Sequence, residues 1–395
     1  MLTNKKLSLL GAAAVWLALS PMAQAATYSD TGAAVLIYSK VVVDGSRDTV
    51  LEITNQSGQA RAAHCFYINA NPRCSNTGGV CTGVSDCRDD TGFFGSCVPG
   101  WVEINFDIFL TPFQPLGWSA ARGLSSGGTG SLADGKTPCP GGFLDSCPFA
   151  DTNAGTRIPP VGETPFIGEL KCIEVDRITR LPAECQGDAC RNDLEGAATI
   201  TKVEQGQIDT RKYNAVGLRS TDFNDGSNEL IIGGAPESAE YQPCAEVLVF
   251  NHLFDGAVDP ISGFWEAHSE LSLVPCTENL LQQDTPSVVA QFLVFNEFEQ
   301  RLSTSITVNC LLDRPISRID TSQPIRSIWS AAFNGTVAGQ TRITGVNGGL
   351  VGAATLAFCD PDGLECDSTV FVDSGAAYNL NQFADRVAPD FITIP

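Results

Sequence analysis

The sequence predicts an all-β protein built from two tandem antiparallel β-sandwich domains related by internal duplication. Three observations carry that reading. Short apolar runs alternate with Gly, Pro, Asn and Asp turns along a chain that holds 38 Gly and 22 Pro, the rhythm of closely spaced short strands. Five blocks of residues recur in one order in both halves. No long stretch carries the 3.6-residue period of an amphipathic helix.

The strands are read from alternation. Val102 to Ile108 (V-E-I-N-F-D-I) puts its apolar residues on one face and its polar ones on the other, as a half-buried strand requires. Ile306 to Cys310 alternates in the same way. Only short helical turns are expected, near Thr277–Gln283 and Leu380–Arg386.

The duplication is read from the blocks. Val35-Leu36-Ile37-Tyr38 with Asp44-Gly45 matches Val247-Leu248-Val249-Phe250 with Asp255-Gly256. Leu51 to Asn55, with Gln59 beyond, matches Phe292 to Asn296, with Gln300 beyond, and each leads to a cysteine, Cys65 or Cys310. Gln114-Pro115-Leu116 and Trp118-Ser119-Ala120-Ala121 match Gln323-Pro324-Ile325 and Trp329-Ser330-Ala331-Ala332. Leu194 to Ile200 matches Leu350 to Leu356, and Tyr213-Asn214 matches Tyr378-Asn379 more weakly. Copy one is therefore placed at 26–240 and copy two at 241–395, with Trp118 and Trp329 as equivalent core residues.

Export is expected from the N-terminus. Lys5 and Lys6 precede the apolar run Leu7 to Leu19, Pro21 breaks it, and Ala23-Gln24-Ala25 supplies small residues for cleavage. That order is a signal peptide over residues 1–25, and the run is shorter than the ~20 residues of a membrane span. Fifteen cysteines follow it, which in an exported chain reads as a disulfide framework. The expected location is periplasmic, extracellular or at the cell surface. The formal net charge of −21 repels phosphate backbones and argues against nucleic acid as a partner.

Copy one carries two stretches that copy two lacks. Between about 71 and 100 lie Cys74, Cys81, Cys87 and Cys97, in a segment too polar to build a core and expected to hold two disulfides in one of three pairings. A four-cysteine zinc site is the rival, but no C-x2-C pair is present. From about 125 to 160 runs a Gly/Pro-rich loop stapled by Cys139 and Cys147. Cys185 with Cys190, Cys359 with Cys366, and Cys65 with Cys172 complete the expected pairs, leaving the odd thiol among Cys244, Cys276 and Cys310.

The strand order of each copy resembles the immunoglobulin-like sandwiches of secreted and surface proteins, without their Cys…Trp…Cys spacing. The I-P-P-V-x-E-x-P-F-I-G-E-L-K-C stretch at Ile158–Cys172 and F-D-G-A-V-D-P at Phe254–Pro260 are similar to those of a group of secreted bacterial proteins. That resemblance implies architecture and carries no assigned activity.

No residue pattern here spells catalysis. The three histidines are His64, His252 and His268, and no H-E-x-x-H occurs. Calcium is the one cofactor weighed. Its candidate ligands are Asp222, Asn224 and Asp225 in one loop and Asp360, Asp362 and Asp367 in another, residues that also serve ordinary turns. The leading expectation is a non-catalytic exported structural or binding protein acting through the copy-one insertion, with Phe93, Phe94 and Trp101 as its apolar anchor toward a surface protein or glycan. A subunit of a surface fibre or coat, self-associating through the odd cysteine or a sheet edge, is the second reading. A secreted hydrolase using acidic residues is the third.

Overall fold

Strand alternation is realised along the chain. In Arg47–Asn55 the inward residues Thr49, Leu51, Ile53 and Asn55 are buried while their neighbours are not, and Ser287–Asn296 repeats the pattern with Val288, Ala290, Phe292 and Val294. Val35–Val43 is buried along its entire length. A strand reads that way when both of its faces are covered.

The structure, a computed structural model, describes residues 31–124, 157–182, 191–204, 207–235, 237–259, 262–359 and 375–395. The leader 1–25, nearly all of the 125–160 loop, Cys139, Cys147, Cys185, Cys190, Cys366, Asp360, Asp362 and Asp367 lie outside the described residues. The first-half strands are β1 (Val35–Val43), β2 (Arg47–Asn55), β3 (Arg61–Asn69), β4 (Arg73–Cys74), β5 (Cys97–Val98), β6 (Val102–Leu110), β7 (Pro115–Ser119), β8 (Phe166–Val175), β9 (Leu194–Glu204), β10 (Gln207–Asn214), β11 (Val216–Leu218) and β12 (Glu229–Ile232). Then come β13 (Ala245–Leu253), β14 (Ala257–Val258), β15 (Glu266–Pro275), β16 (Glu278–Asn279), β17 (Ser287–Asn296), β18 (Arg301–Asn309), β19 (Leu312–Pro315), β20 (Ala338–Gly345), β21 (Leu350–Cys359), β22 (Gly375–Asn379), β23 (Asn381–Asp385) and β24 (Asp390–Thr393).

The all-β expectation is met, with 56% strand and 5% helix. The two-sandwich architecture is not. The five larger sheets are arranged as a five-bladed β-propeller, in the strand orders β11-β1-β8-β3-β6, β10-β9-β2-β7, β12-β24-β16, β18-β17-β20-β13-β23 and β14-β15-β21-β22. The third sheet mixes the two halves, since β24 pairs antiparallel with β12 and parallel with β16. One apolar cluster does the same, joining Val35, Phe66 and Leu230 to Val274, Val351 and Ile392. A chain of two independent sandwiches would keep its cores apart. Sandwich and propeller share the same local strand rhythm, and the partition of strands among sheets is a long-range property that alternation does not encode.

The repeat blocks behave in the same divided way. Tyr213 pairs with Ala198 across β9 and β10, and Tyr378 pairs with Ala354 across β21 and β22, so this hairpin keeps one register in both halves. Sheet membership differs, however: β1 and β2 lie in different sheets, whereas their counterparts β13 and β17 share one. Trp118 lies in β7 opposite Leu51. Trp329 lies between a short 3-10 turn (Pro324–Arg326) and the single-turn helix α1 (Ala331–Asn334). Both are buried, and each indole N–H donates to a hydroxyl, Tyr67 Oη at 2.6 Å or Thr341 Oγ1 at 3.0 Å. Their chemistry corresponds; their elements do not. The helical turns expected near 277–283 and 380–386 are instead β16 with a turn, and β23.

Candidate functional site

Two lysines of the first half enter the second half and define where the halves meet. Lys171 on β8 is fully buried; its ammonium donates to Glu169 Oε1 (3.1 Å), to Glu278 Oε2 and to the Pro275 carbonyl (3.3 Å). Glu278 also accepts from Trp101 Nε1 at 2.8 Å. Burial, reinforced by the neighbouring Glu278, raises the Glu169 carboxyl to about 8 against the pull of Lys171, and its Oε2 is buried without a hydrogen-bond partner. Burial alone would lower Lys171, but the two carboxylates outweigh it and raise it. A buried charge persists when it is paired and hydrogen-bonded in this way.

The second lysine, Lys40 on β1, donates to Glu270 Oε2 (2.9 Å) and Asp313 Oδ1 (2.6 Å). Lys40 holds the Glu270 carboxyl down to about 2, with smaller help from Arg47 and Arg211. Around this ion group opens a cleft of about 410 Å³. It runs between β2, β9 and β10 on one side and β15 and β21 on the other, where β10 packs on β22. Lys40, Arg47, Lys202, Arg211, His268 and Arg318 line it with Asp209 and Glu270, beside Ile200, Pro315, Pro324 and Ala357.

Two of the arginines are held for presentation. Arg47 donates through Nε to Asp44 Oδ2 (2.7 Å) and Arg211 through Nε to Asp209 Oδ2 (2.9 Å). An arginine fixed at Nε by one carboxylate keeps its terminal NH2 edge for a second, two-pronged contact. The described lining contains no Phe, Tyr or Trp, so apart from the His268 imidazole the cleft offers charge and hydrogen bonds.

The predicted residues fall elsewhere. Cys74 pairs with Cys87 and Cys81 with Cys97, which settles the three open pairings and removes the thiolates a zinc site would need. On this stapled insertion Phe93 and Phe94 are 65% and 52% exposed, and the Arg88 guanidinium lies over the Phe94 ring at 5.7 Å. Trp101 does not join them; it packs against the central apolar cluster and is tied to Glu278. In the 222–225 loop Asn224 Oδ1 accepts from Gly226 N (2.6 Å) and Asp225 Oδ1 from Ser227 N (2.8 Å). Those oxygens cap their own turn.

Of the remaining cysteines, Cys65 pairs with Cys172 and Cys244 with Cys276, while Cys310 is free and buried. Cys359 is disulfide-bonded, its expected partner Cys366 lying outside the described residues. His64 stacks on Phe66 at 4.4 Å. Buried His252, held between the Leu253 carbonyl and Thr341 Oγ1, is lowered by burial to about 4. Only His268 reaches the cleft.

Sequence reasoning missed the cleft because its lining comes from strands distant in the chain and spells no motif. It also passed over Glu169 and Lys171, for which a signal existed: two opposite charges at i and i+2 share one face of a largely apolar strand, F-I-G-E-L-K-C-I-E-V. Compared with known proteins, the chain matches no family model, and no curated protein shows significant similarity to it.

Proposed function

We propose that this is an exported, non-catalytic binding protein that takes a small multivalent anion, a carboxylate or phosphate compound, into the cleft between β10 and β15. The observation that carries the reading is the pair Arg47 and Arg211, each fixed at Nε by its own aspartate, lining one cleft in a chain of net charge −21. Cations gathered in an otherwise acidic molecule are where an anion finds a favourable local field. The disulfides support export. Titration calorimetry with inorganic phosphate, sulfate and citrate tests it. One of these should bind, and Arg47→Gln or Arg211→Gln should each weaken it by about 10-fold or more, the worth of a charged hydrogen bond. Equal affinity in the wild type and the double variant overturns the proposal.

A second reading rests on the insertion. Two exposed phenylalanines on a loop closed by two disulfides make a preorganised docking knob for a surface protein. Replacing 74–97 by a short Gly-Ser linker should abolish attachment to the native surface and leave phosphate, sulfate and citrate binding intact.

A further inference from the structure

Sheets end in edges, and an unprotected edge is a template for another strand. Most edges of this molecule are short or guarded. β7 carries Pro115, β11 and β14 are two or three residues long, and β12, β16, β22 and β23 have five residues or fewer. β10 bears Asp209, Arg211 and Lys212 and packs on β22. β6 is long but carries Glu103 and Asp107.

β18 is different. It is the terminal strand of its sheet, pairs only with β17, spans nine residues, contains no proline and has a single charge, Arg301, at its first position. Among the described residues no further strand lies beyond it. Its odd-numbered side chains Arg301, Ser303, Ser305 and Thr307 are exposed, while Leu302 and Ile306 pack against the apolar core of the sheet and Val308 is buried in it.

We propose that β18 is a self-association edge, and that a second copy of this chain adds its own β18 antiparallel about a two-fold axis through Ser305. The sequence R-L-S-T-S-I-T-V-N is complementary to itself in that register. Arg301 meets Asn309, Leu302 meets Val308, Ser303 meets Thr307, Thr304 meets Ile306, and Ser305 meets its own copy. No like charges oppose each other, every apolar residue stays on the core face, and Ser303 with Thr307 is a cross-strand pair of the hydrogen-bonding Thr/Ser kind. The contact is isologous and therefore closes at two copies. It extends the sheet by β-augmentation, with main-chain hydrogen bonds supplying the attraction.

The test is the mass of the full chain by light scattering after size exclusion. The wild type should run as a dimer. Ser305→Lys brings two ammonium groups face to face and should halve the mass, with an unchanged circular dichroism spectrum because Ser305 is exposed. Ser305→Cys should give a covalent dimer on mild oxidation, whereas Arg301→Cys, which faces Asn309, should not. A wild-type monomer at the highest concentration reached overturns the proposal. So does a dimer indifferent to Ser305→Lys, or a ladder of masses beyond two, which would mean head-to-tail addition.

Discussion

Replacing Lys171 by Met isolates what holds the halves of the molecule together. The substitution keeps an unbranched side chain of similar length and removes the only cation between Glu169 and Glu278, all three fully buried. Breaking a buried ion group by deleting one partner costs about 3–5 kcal/mol, because the remaining charge is left uncompensated. Trp101 Nε1 still donates to Glu278, but one hydrogen bond does not replace an ammonium. The expected fall in melting temperature is on the order of 5–10 °C. Lys171 belongs to the first half and Glu278 to the second, so urea unfolding followed by tryptophan fluorescence and by far-UV circular dichroism should shift together. Adding Glu169→Gln and Glu278→Gln to Lys171→Met removes the stranded acids and should recover most of the loss. A single variant within 0.5 kcal/mol of the wild type, or a triple variant no more stable than the single, refutes the reasoning.

Two further outcomes follow from the same accounting. His252 is lowered to about 4 in the folded state against an unfolded value of about 6.5, so the unfolded chain binds the extra proton between those values. Its stabilising contribution is complete above pH 6.5 and fades by about 3 kcal/mol toward pH 4, and His252→Asn should remove that part of the wild-type pH dependence in denaturant titrations. The Cys65–Cys172 bond closes a long loop, with a sequence separation of 107; the Cys65→Ser/Cys172→Ser variant should lose about 2–5 kcal/mol, whereas Cys74→Ser/Cys87→Ser should leave global unfolding nearly unchanged and open the insertion to proteolysis.

What was legible in the sequence is what neighbours in the chain decide. β6 and β18 follow from the alternation of Val102–Ile108 and Ile306–Asn309, and the insertion's two disulfides follow from four cysteines in a segment that cannot form a core. The burial of Trp118 and Trp329 follows from their apolar surroundings. The equal register of Tyr213 on Ala198 and Tyr378 on Ala354 shows that the repeated blocks were a real signal for local pairing. They failed as a guide to sheets, because whether β1 and β2 share a sheet depends on which distant strands reach them first with a complementary face. The cleft was hidden for a related reason: Arg47, Arg211 and the pair His268 and Glu270 sit on three separate strands, β2, β10 and β15, and each alone reads as an ordinary surface or strand charge. Trp101 misled in the opposite direction, since an aromatic beside an exposed insertion looks like an anchor until its indole N–H is found on a buried carboxylate.

The place of β24 in the third sheet has a consequence for how the molecule comes into being. β12 is synthesised well before β24, and β16 lies between them in the chain, yet β24 is the strand that joins the other two. A chain delivered from its N-terminus therefore holds β12 against the neighbouring Tyr241 and the first-half cluster, but without its strand partner β24 until the residues near Asp390 have emerged. β24 is thus the strand that closes the third sheet, and a chain shortened before Asp390 should lose the pairing of Leu230 and Ile232 with Ile392 and Asp390 while keeping the Lys40 and Lys171 contacts between the halves.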